Sequence, residues 1–142
     1  MQVFIPYIEP IKVAECLDRR RLHKQCLECQ QILDIIDGKR MTWKNHPVVK
    51  MWTYHNDYLM FYMNCLKSYF NGDFNDAQFW NDIALTCTPN WLTNGLCNQH
   101  KKRLYTKNPE LYLQFKQFGK SYDNWYIVDN ELKIYCTNET RK

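Results

Sequence analysis

The spacing of apolar residues between positions 22 and 36 is the feature that most restricts the fold of this chain. Five of them recur at intervals of three and four: Leu22, Cys26, Cys29, Leu33 and Ile36. At about 100° per residue, this spacing puts them on one stripe of an α-helix. The pattern turns helical at about Ile11 and is followed by the helix stop Asp37–Gly38, so we predict one helix over about 11–36.

The rest of the chain also shows mainly helical signals. Further helices are predicted at three places: about 47–70, about 75–85, and on either side of Asn108–Pro109. The tail at 124–136 alternates around Asp129–Asn130, which predicts a β-hairpin. A chain of 142 residues is long enough for one hydrophobic core. We therefore expect a mainly α fold, a compact single-domain helical bundle over 1–142 with a small C-terminal β-hairpin.

Cys26 and Cys29 form a C-x-x-C pair, a spacing found in redox and zinc sites. A redox pair normally lies at an exposed helix N-terminus, whereas these cysteines lie in mid-helix on the apolar stripe. A zinc site that used His23 with them would need a fourth ligand, and no second pair has ligand spacing. We therefore predict that both thiols pack in the core and that the protein binds no metal.

The seven cysteines are an odd number, and residues 1–10 lack the basic and apolar regions of a secretory signal. No apolar run approaches the ~20 residues of a membrane span. We therefore expect an intracellular protein with free thiols and no association with a membrane.

A second stripe of the first long helix is polar, and it carries Arg21, Lys24, Gln25, Glu28 and Gln31. One interpretation is the solvated face of an ordinary amphipathic helix. The alternative is a site in which Glu28, one turn from Lys24, is held ionised by neighbouring cations. An amine with a carboxylate is the smallest set of groups that can attack C1′ of a sugar and stabilise the resulting cation.

Basic residues cluster at two places, although the net charge of the chain is only +4. One cluster precedes Glu28, and the other contains His100, Lys101, Lys102, Arg103 and Lys107. Such clusters are either solvated or, with aromatic neighbours such as Trp91 and Tyr105, suited to a nucleic-acid strand. His46 lies at the start of the helix predicted from position 47, where it either caps the helix or marks a phosphate site.

Three segments of the sequence together resemble one protein family. They are "MQVFIPY", "CLDRRRLHKQCLECQQIL" and "WKNHPVVKMW", which are similar to the pyrimidine-dimer DNA glycosylases, small bacterial and viral proteins related to the phage endonuclease V. The later segments "PNWL" and "HKKRLYTKNPELY" extend the resemblance, so that it covers about 1–70 and 89–113. The resemblance implies a helical bundle that excises bases from DNA, with or without a lyase step that nicks the strand.

The same resemblance assigns residues to roles. It makes Glu28 the catalytic carboxylate, and it puts Arg20 and Arg21 where the family grips phosphates. The phage nucleophile is the α-amine of a small second residue, but here that residue is Gln2, whose bulk normally blocks removal of the initiator Met. The nucleophile therefore does not carry over. Four alternatives remain open: the Met1 α-amine, Lys24, a glutamate that orients water without an amine, and loss of catalysis.

We therefore predict a DNA repair-type glycosylase, with or without AP-lyase activity, that flips and excises a damaged pyrimidine base. It would act on double-stranded DNA as a monomer and without a cofactor. The catalytic candidates are Glu28, Lys24 and Met1, and the candidates for DNA contact are Arg20, Arg21, Gln25, His46, His100, Lys101, Arg103 and Lys107. The alternatives are a non-catalytic nucleic-acid-binding protein on the same fold, an enzyme for another modified base or nucleotide, and a protein-interaction module.

Overall fold

The computed structural model describes residues 2–128 and 131–135 of the chain, and within them the fold is mainly α-helical, as predicted. The six α-helices are α1 (Pro10–Cys16), α2 (Arg19–Ile36), α3 (Pro47–Trp52), α4 (Asn56–Phe70), α5 (Phe74–Leu85) and α6 (Asn94–Lys107). A 3₁₀ helix (Leu113–Phe118) and two strands, β1 (Asn124–Val128) and β2 (Glu131–Tyr135), follow. None of the described helices is both long and apolar enough to cross a membrane.

The prediction of one helix over about 11–36 is wrong, because the chain leaves helical geometry at Leu17 and Asp18. Asp18 has extended backbone angles and accepts a hydrogen bond from the Arg21 backbone N–H at 3.1 Å, which makes it the N-cap of α2. The Tyr112 hydroxyl also donates to the Asp18 carboxylate. The break therefore gives α2 a capped start of its own and ties that start to the region after α6.

The prediction of one helix over about 47–70 is also wrong, because α3 and α4 are separated by a turn at Thr53–His55. In a continuous helix, Trp52 and Tyr58 would point roughly 120° apart. The turn instead allows their rings to stack at 5.9 Å between centroids, and both side chains are almost fully buried. Burial of these two large aromatic residues in one core explains the interruption.

One hydrophobic cluster contains residues from every α-helix, from the 3₁₀ helix and from β1. Within it α4 packs against α1, α2 and α5, and α6 packs against the 3₁₀ helix and β1. Core side chains such as Ile32, Leu59 and Leu66 have no exposed surface, and burial of each contributes roughly 1.5–3 kcal/mol. The cluster fixes α2 and α6 as the two helices that bound the site described below.

The hairpin predicted at 124–136 is present as an antiparallel pair of strands, in which Trp125 lies opposite Ile134. The predicted turn residues Asp129 and Asn130 lie outside the described residues, as does position 136. β1 also packs against α3 and α6, so the hairpin is joined to the helical part of the molecule.

Candidate active site

The N-terminal segment, residues 2–5, is buried, belongs to no helix or strand, and is hydrogen-bonded to side chains of α2, α4 and α6. The Phe4 carbonyl accepts hydrogen bonds from the Gln25 side-chain amide at 2.6 Å and from the Tyr62 hydroxyl at 2.7 Å. The Ile5 backbone N–H donates to Nδ1 of His100 at 2.8 Å. A segment without helix or strand partners thus satisfies the Phe4 carbonyl and the Ile5 N–H with side chains of the surrounding helices.

Gln2 connects this segment to three other parts of the molecule. Its backbone N–H donates to Oε2 of Glu28 at 3.3 Å. Its side-chain Nε2 donates to the Trp125 carbonyl on β1 at 3.0 Å and lies 3.1 Å from Nε2 of His100. Gln2 is only 6% exposed, so the position of its main chain beside Glu28 is fixed by buried contacts.

A cleft of about 110 Å³ opens next to this contact, and we call it the Glu28 cleft. From α2 it is lined by Arg21, Lys24, Gln25 and Glu28, whose spacings of three and four put them on one helix face. From α6 it is lined by Arg103 and Lys107, which are one turn apart, and it is closed by Gln2, Phe4 and Asn124. The site therefore joins the N-terminal segment, two helices and β1.

The Glu28 cleft is strongly cationic, since four cationic side chains and one carboxylate line it. Partial burial lowers the pKa of Lys107, and the nearby charges of Arg103, Arg21 and Lys24 lower it further, while Glu28 opposes the shift. The guanidinium of Arg21 lies 5.5 Å from the centre of the Phe4 ring. Such a cleft attracts phosphates and also contains a carboxylate and amines close to the same space.

The structure brings together six of the residues singled out in the sequence: Arg21, Lys24, Gln25, Glu28, Arg103 and Lys107. Four others do not line the Glu28 cleft: Arg20, His46, Lys101 and His100, of which the last is described separately below. Arg20 is exposed elsewhere on α2, and the Lys101 amine lies over the rings of Tyr7 and Phe118, at 4.6 and 4.7 Å from their centres. His46 caps α3, where its Nδ1 accepts from the Val48 backbone N–H at 3.1 Å. Met1, the third catalytic candidate, lies outside the described residues.

His100 needs a correction, because the structure does not place it where DNA could reach it. Its side chain is 1% exposed, and Nδ1 accepts from Ile5, which leaves the proton of the neutral ring on Nε2, 3.3 Å from the Trp125 carbonyl. Burial lowers the pKa of His100 to about 4. The residue is thus an internal anchor of the N-terminal segment and not a DNA contact.

The prediction that Cys26 and Cys29 pack in the core is confirmed, with exposures of 5% and 0%. Burial raises the pKa of Cys26 to about 11 and that of Cys29 well above its ordinary value, so both are protonated thiols at neutral pH. Within the described residues, no three His, Cys, Asp or Glu side chains form a group that could hold a metal ion.

The sequence does not predict three of the residues that line the Glu28 cleft: Gln2, Phe4 and Asn124. In the sequence, the bulk of Gln2 indicates only that removal of the initiator Met is blocked. Its role depends on contacts with positions 100 and 125, for which the sequence gives no local signal.

Comparison with known proteins finds a family match for the part of the chain that includes α2 and the N-terminal segment. The family model for pyrimidine dimer DNA glycosylases matches residues 1–69. The resemblance to this family is therefore confirmed over residues 1–69. The matched region contains Gln2, Phe4 and all the cleft residues of α2, whereas the contributions of α6 and β1 lie beyond it. No curated protein and no solved structure matches the chain.

Proposed function

We propose that the protein is a DNA glycosylase that excises a damaged pyrimidine base, such as one of a dimer, from double-stranded DNA. The observation that carries this proposal is the hydrogen bond of 3.3 Å from the Gln2 backbone N–H to Glu28 inside a cleft with four cations. The family match at residues 1–69 supports base excision from DNA as the class of activity. Glu28 is the proposed catalytic carboxylate, and Arg21, Arg103 and Lys107 are proposed to hold the strand. Gln25 is only 2% exposed, and its amide donates to the Phe4 carbonyl and the Tyr62 hydroxyl, so it positions the N-terminal segment and is not proposed as a DNA contact.

The size of the Glu28 cleft limits what it can hold. Pockets that enclose a whole drug-sized ligand usually measure ~300–1,000 Å³, whereas this one measures about 110 Å³. It therefore suits a sugar with its phosphate better than a complete dinucleotide. In our proposal the damaged nucleotide leaves the base stack and brings its C1′ to Glu28, while the cations hold the flanking phosphates.

In the proposed reaction an amine attacks C1′ as the bond between C1′ and N1 of the pyrimidine breaks. The base leaves with the bonding electrons and takes up a proton. The amine loses a proton and, after the sugar ring opens, is joined to C1′ as an imine. The negative charge of Glu28 stabilises the positive charge that develops at the sugar during bond breaking. Loss of a proton from C2′ of this imine, with breakage of the C3′–oxygen bond and departure of the 3′ phosphate, would provide the AP-lyase step.

We propose the Met1 α-amine as the first candidate for the nucleophile. Its nitrogen is joined through three covalent bonds to the Gln2 nitrogen, which itself donates to Glu28. Lys24 is the second candidate, since it lines the same cleft. The intact mass of the protein must first establish whether Met1 is the first residue of the mature chain.

The proposal is tested on UV-irradiated duplexes, by strand cleavage with and without alkali, and on duplexes with an abasic site, by strand cleavage and borohydride trapping. Release of free base is not the readout, because a base cut from its sugar within a dimer stays joined to the neighbouring base. Glu28→Gln should abolish turnover while binding persists or tightens, because one negative charge is removed from a cationic cleft. Glu15→Gln, the same change at an exposed position of α1, should leave turnover unchanged. Absence of product and of trapped adduct with excess wild-type protein on every damaged duplex would exclude the glycosylase and favour a non-catalytic DNA-binding protein.

The nucleophile is assigned by the site of the trapped adduct. Acetylation of the N-terminus should abolish trapping, and Lys24→Ala should preserve it. Peptide mass spectrometry then locates the sugar remnant, and its presence on a lysine would contradict the assignment to Met1.

A further inference from the structure

The loop that joins α2 to α3 is exposed at each of residues 37–45, and we call this segment the Trp43 loop. It presents two large apolar side chains to solvent, Met41 at 68% exposure and Trp43 at 58%. Three cations accompany them: Lys39, Arg40 and Lys44. Tryptophan is normally buried over most of its surface, so an exposed Trp between cations indicates a binding surface.

The backbone of the Trp43 loop holds the tryptophan in an unusual conformation. Trp43 has a φ of 66°, and it is the one residue other than glycine with a positive φ in the part of the chain that the structure describes. Its carbonyl accepts a hydrogen bond from the His46 backbone N–H at 2.9 Å, which closes a turn just before α3. This left-handed conformation is costly for a bulky residue and is found mainly where function requires it.

Two ring contacts connect the Trp43 loop to the Glu28 cleft. The Trp43 and His46 rings make a T-shaped contact at 5.8 Å between centroids, and His46 makes another with Tyr126 of β1 at 5.6 Å. Asn124, which lines the Glu28 cleft, lies two residues before Tyr126, so both project from the same face of the strand. The exposed tryptophan is therefore linked, through His46 and the buried Tyr126, to the strand that contributes Asn124 to the cleft.

We propose that Trp43, assisted by Met41, enters the base stack of double-stranded DNA and fills the space vacated by the nucleotide turned out toward Glu28. This inference rests on the proposed function, since it assumes that a nucleotide leaves the duplex. Removal of a base from the stack leaves an apolar gap, and proteins that distort DNA insert apolar side chains into such steps. Lys39, Arg40 and Lys44 contact the phosphates beside the inserted ring.

The test uses a gap that is already present in the DNA. A duplex is prepared with a tetrahydrofuran analogue of an abasic site next to 2-aminopurine, whose fluorescence is quenched by stacking. Wild-type protein should quench it and bind this duplex more tightly than an intact one. Trp43→Ala should remove the quenching and weaken binding to the gapped duplex roughly tenfold or more, because base–aromatic stacking is lost. Trp43→Phe, which keeps a ring, should retain part of both effects.

Phe79→Ala is the matched control, because Phe79 is 53% exposed on α5, a helix without residues in the Glu28 cleft. It should behave as wild type on both duplexes. Equal quenching and equal affinity for wild type and Trp43→Ala would overturn the inference. Loss of binding to anionic lipid vesicles in Trp43→Ala, with DNA binding unchanged, would overturn it too and assign the loop to a membrane surface.

The outcome is separate from that of the proposed function, since the tetrahydrofuran analogue has no base to excise and no C1′ hydroxyl. If binding to the gapped duplex depended on Trp43 but the wild type excised no base, the proposed glycosylase activity would be refuted and the insertion of Trp43 would be supported. If Trp43→Ala retained both excision and binding to the gapped duplex, the glycosylase activity would be supported and the insertion of Trp43 would be refuted.

Discussion

His100 should make the stability of the protein depend on pH in a defined window. Burial lowers its pKa from 6.5 to about 4. Between these two values the unfolded chain binds a proton that the folded chain excludes, so the free energy of unfolding falls as the pH falls. Above about pH 7 both states are neutral and the residue contributes nothing to the dependence. Linkage with these two pKa values lowers the free energy of unfolding by about 2 kcal/mol between pH 7 and pH 5. The total loss, reached below about pH 4, is about 3 kcal/mol.

The prediction is measured by urea unfolding of wild type and of His100→Asn at pH 7 and pH 5. The Asn amide oxygen can replace Nδ1 as the acceptor for the Ile5 backbone N–H, while the variant has no proton to gain at this position. The loss on acidification should therefore be about 2 kcal/mol smaller in the variant. His46 and His55, whose pKa values burial also lowers, contribute equally in both proteins and cancel in the comparison.

His23→Asn provides the control, since His23 is an exposed histidine on α2 whose ring lies beside Phe70. It should retain the pH dependence of the wild type. If wild type and His100→Asn lost the same stability between pH 7 and pH 5, His100 would not be a buried neutral anchor. The Ile5 backbone N–H would then not be held by a neutral His100, and residues 2–5 would be fixed beside the Glu28 cleft by other contacts.

Three further outcomes follow from the contacts described above. Asp18→Ala should lower the free energy of unfolding by about 1–2 kcal/mol in urea, because α2 loses its cap and the Tyr112 hydroxyl loses its acceptor; an unchanged midpoint would contradict this. Cys29 should resist thiol reagents in the folded protein at pH 8 and react after unfolding, as followed by peptide mass spectrometry, and rapid labelling of the native protein would refute its burial. Lys107→Ala should reduce the slope of log Kd against log salt concentration for duplex DNA by about one, whereas Lys116→Ala on the 3₁₀ helix, outside the cleft, should leave it unchanged.

The α2 half of the candidate site could be predicted because its information is local. A repeat of 3.6 residues is enough to put Lys24, Gln25 and Glu28 on one face, whatever packs against the helix. The same rule identifies the error at His100. Leu96, His100 and Leu104 are four residues apart and all buried, so the histidine lies on the core side of α6 although cations follow it in the sequence.

The remaining features depend on tertiary contacts that no local pattern reveals. Asp18 is a residue type that commonly caps helices, but the sequence does not show that the break before α2 is held by the Tyr112 hydroxyl, 94 positions away. The turn between α3 and α4 exists because Trp52 and Tyr58 share one core. Asn124 reaches the cleft only because β1 packs against α6.

The side chain of Gln2 makes contacts that span 98 and 123 positions of the chain. Contacts of such long range form slowly, since a long loop must close before the contact stabilises it. The hydrogen bonds within α2, by contrast, join residues only four positions apart. During synthesis on the ribosome, all of α2 is added well before residue 125. The cleft around Glu28 is therefore completed only when the first residues of the chain meet residues that are added much later in its synthesis.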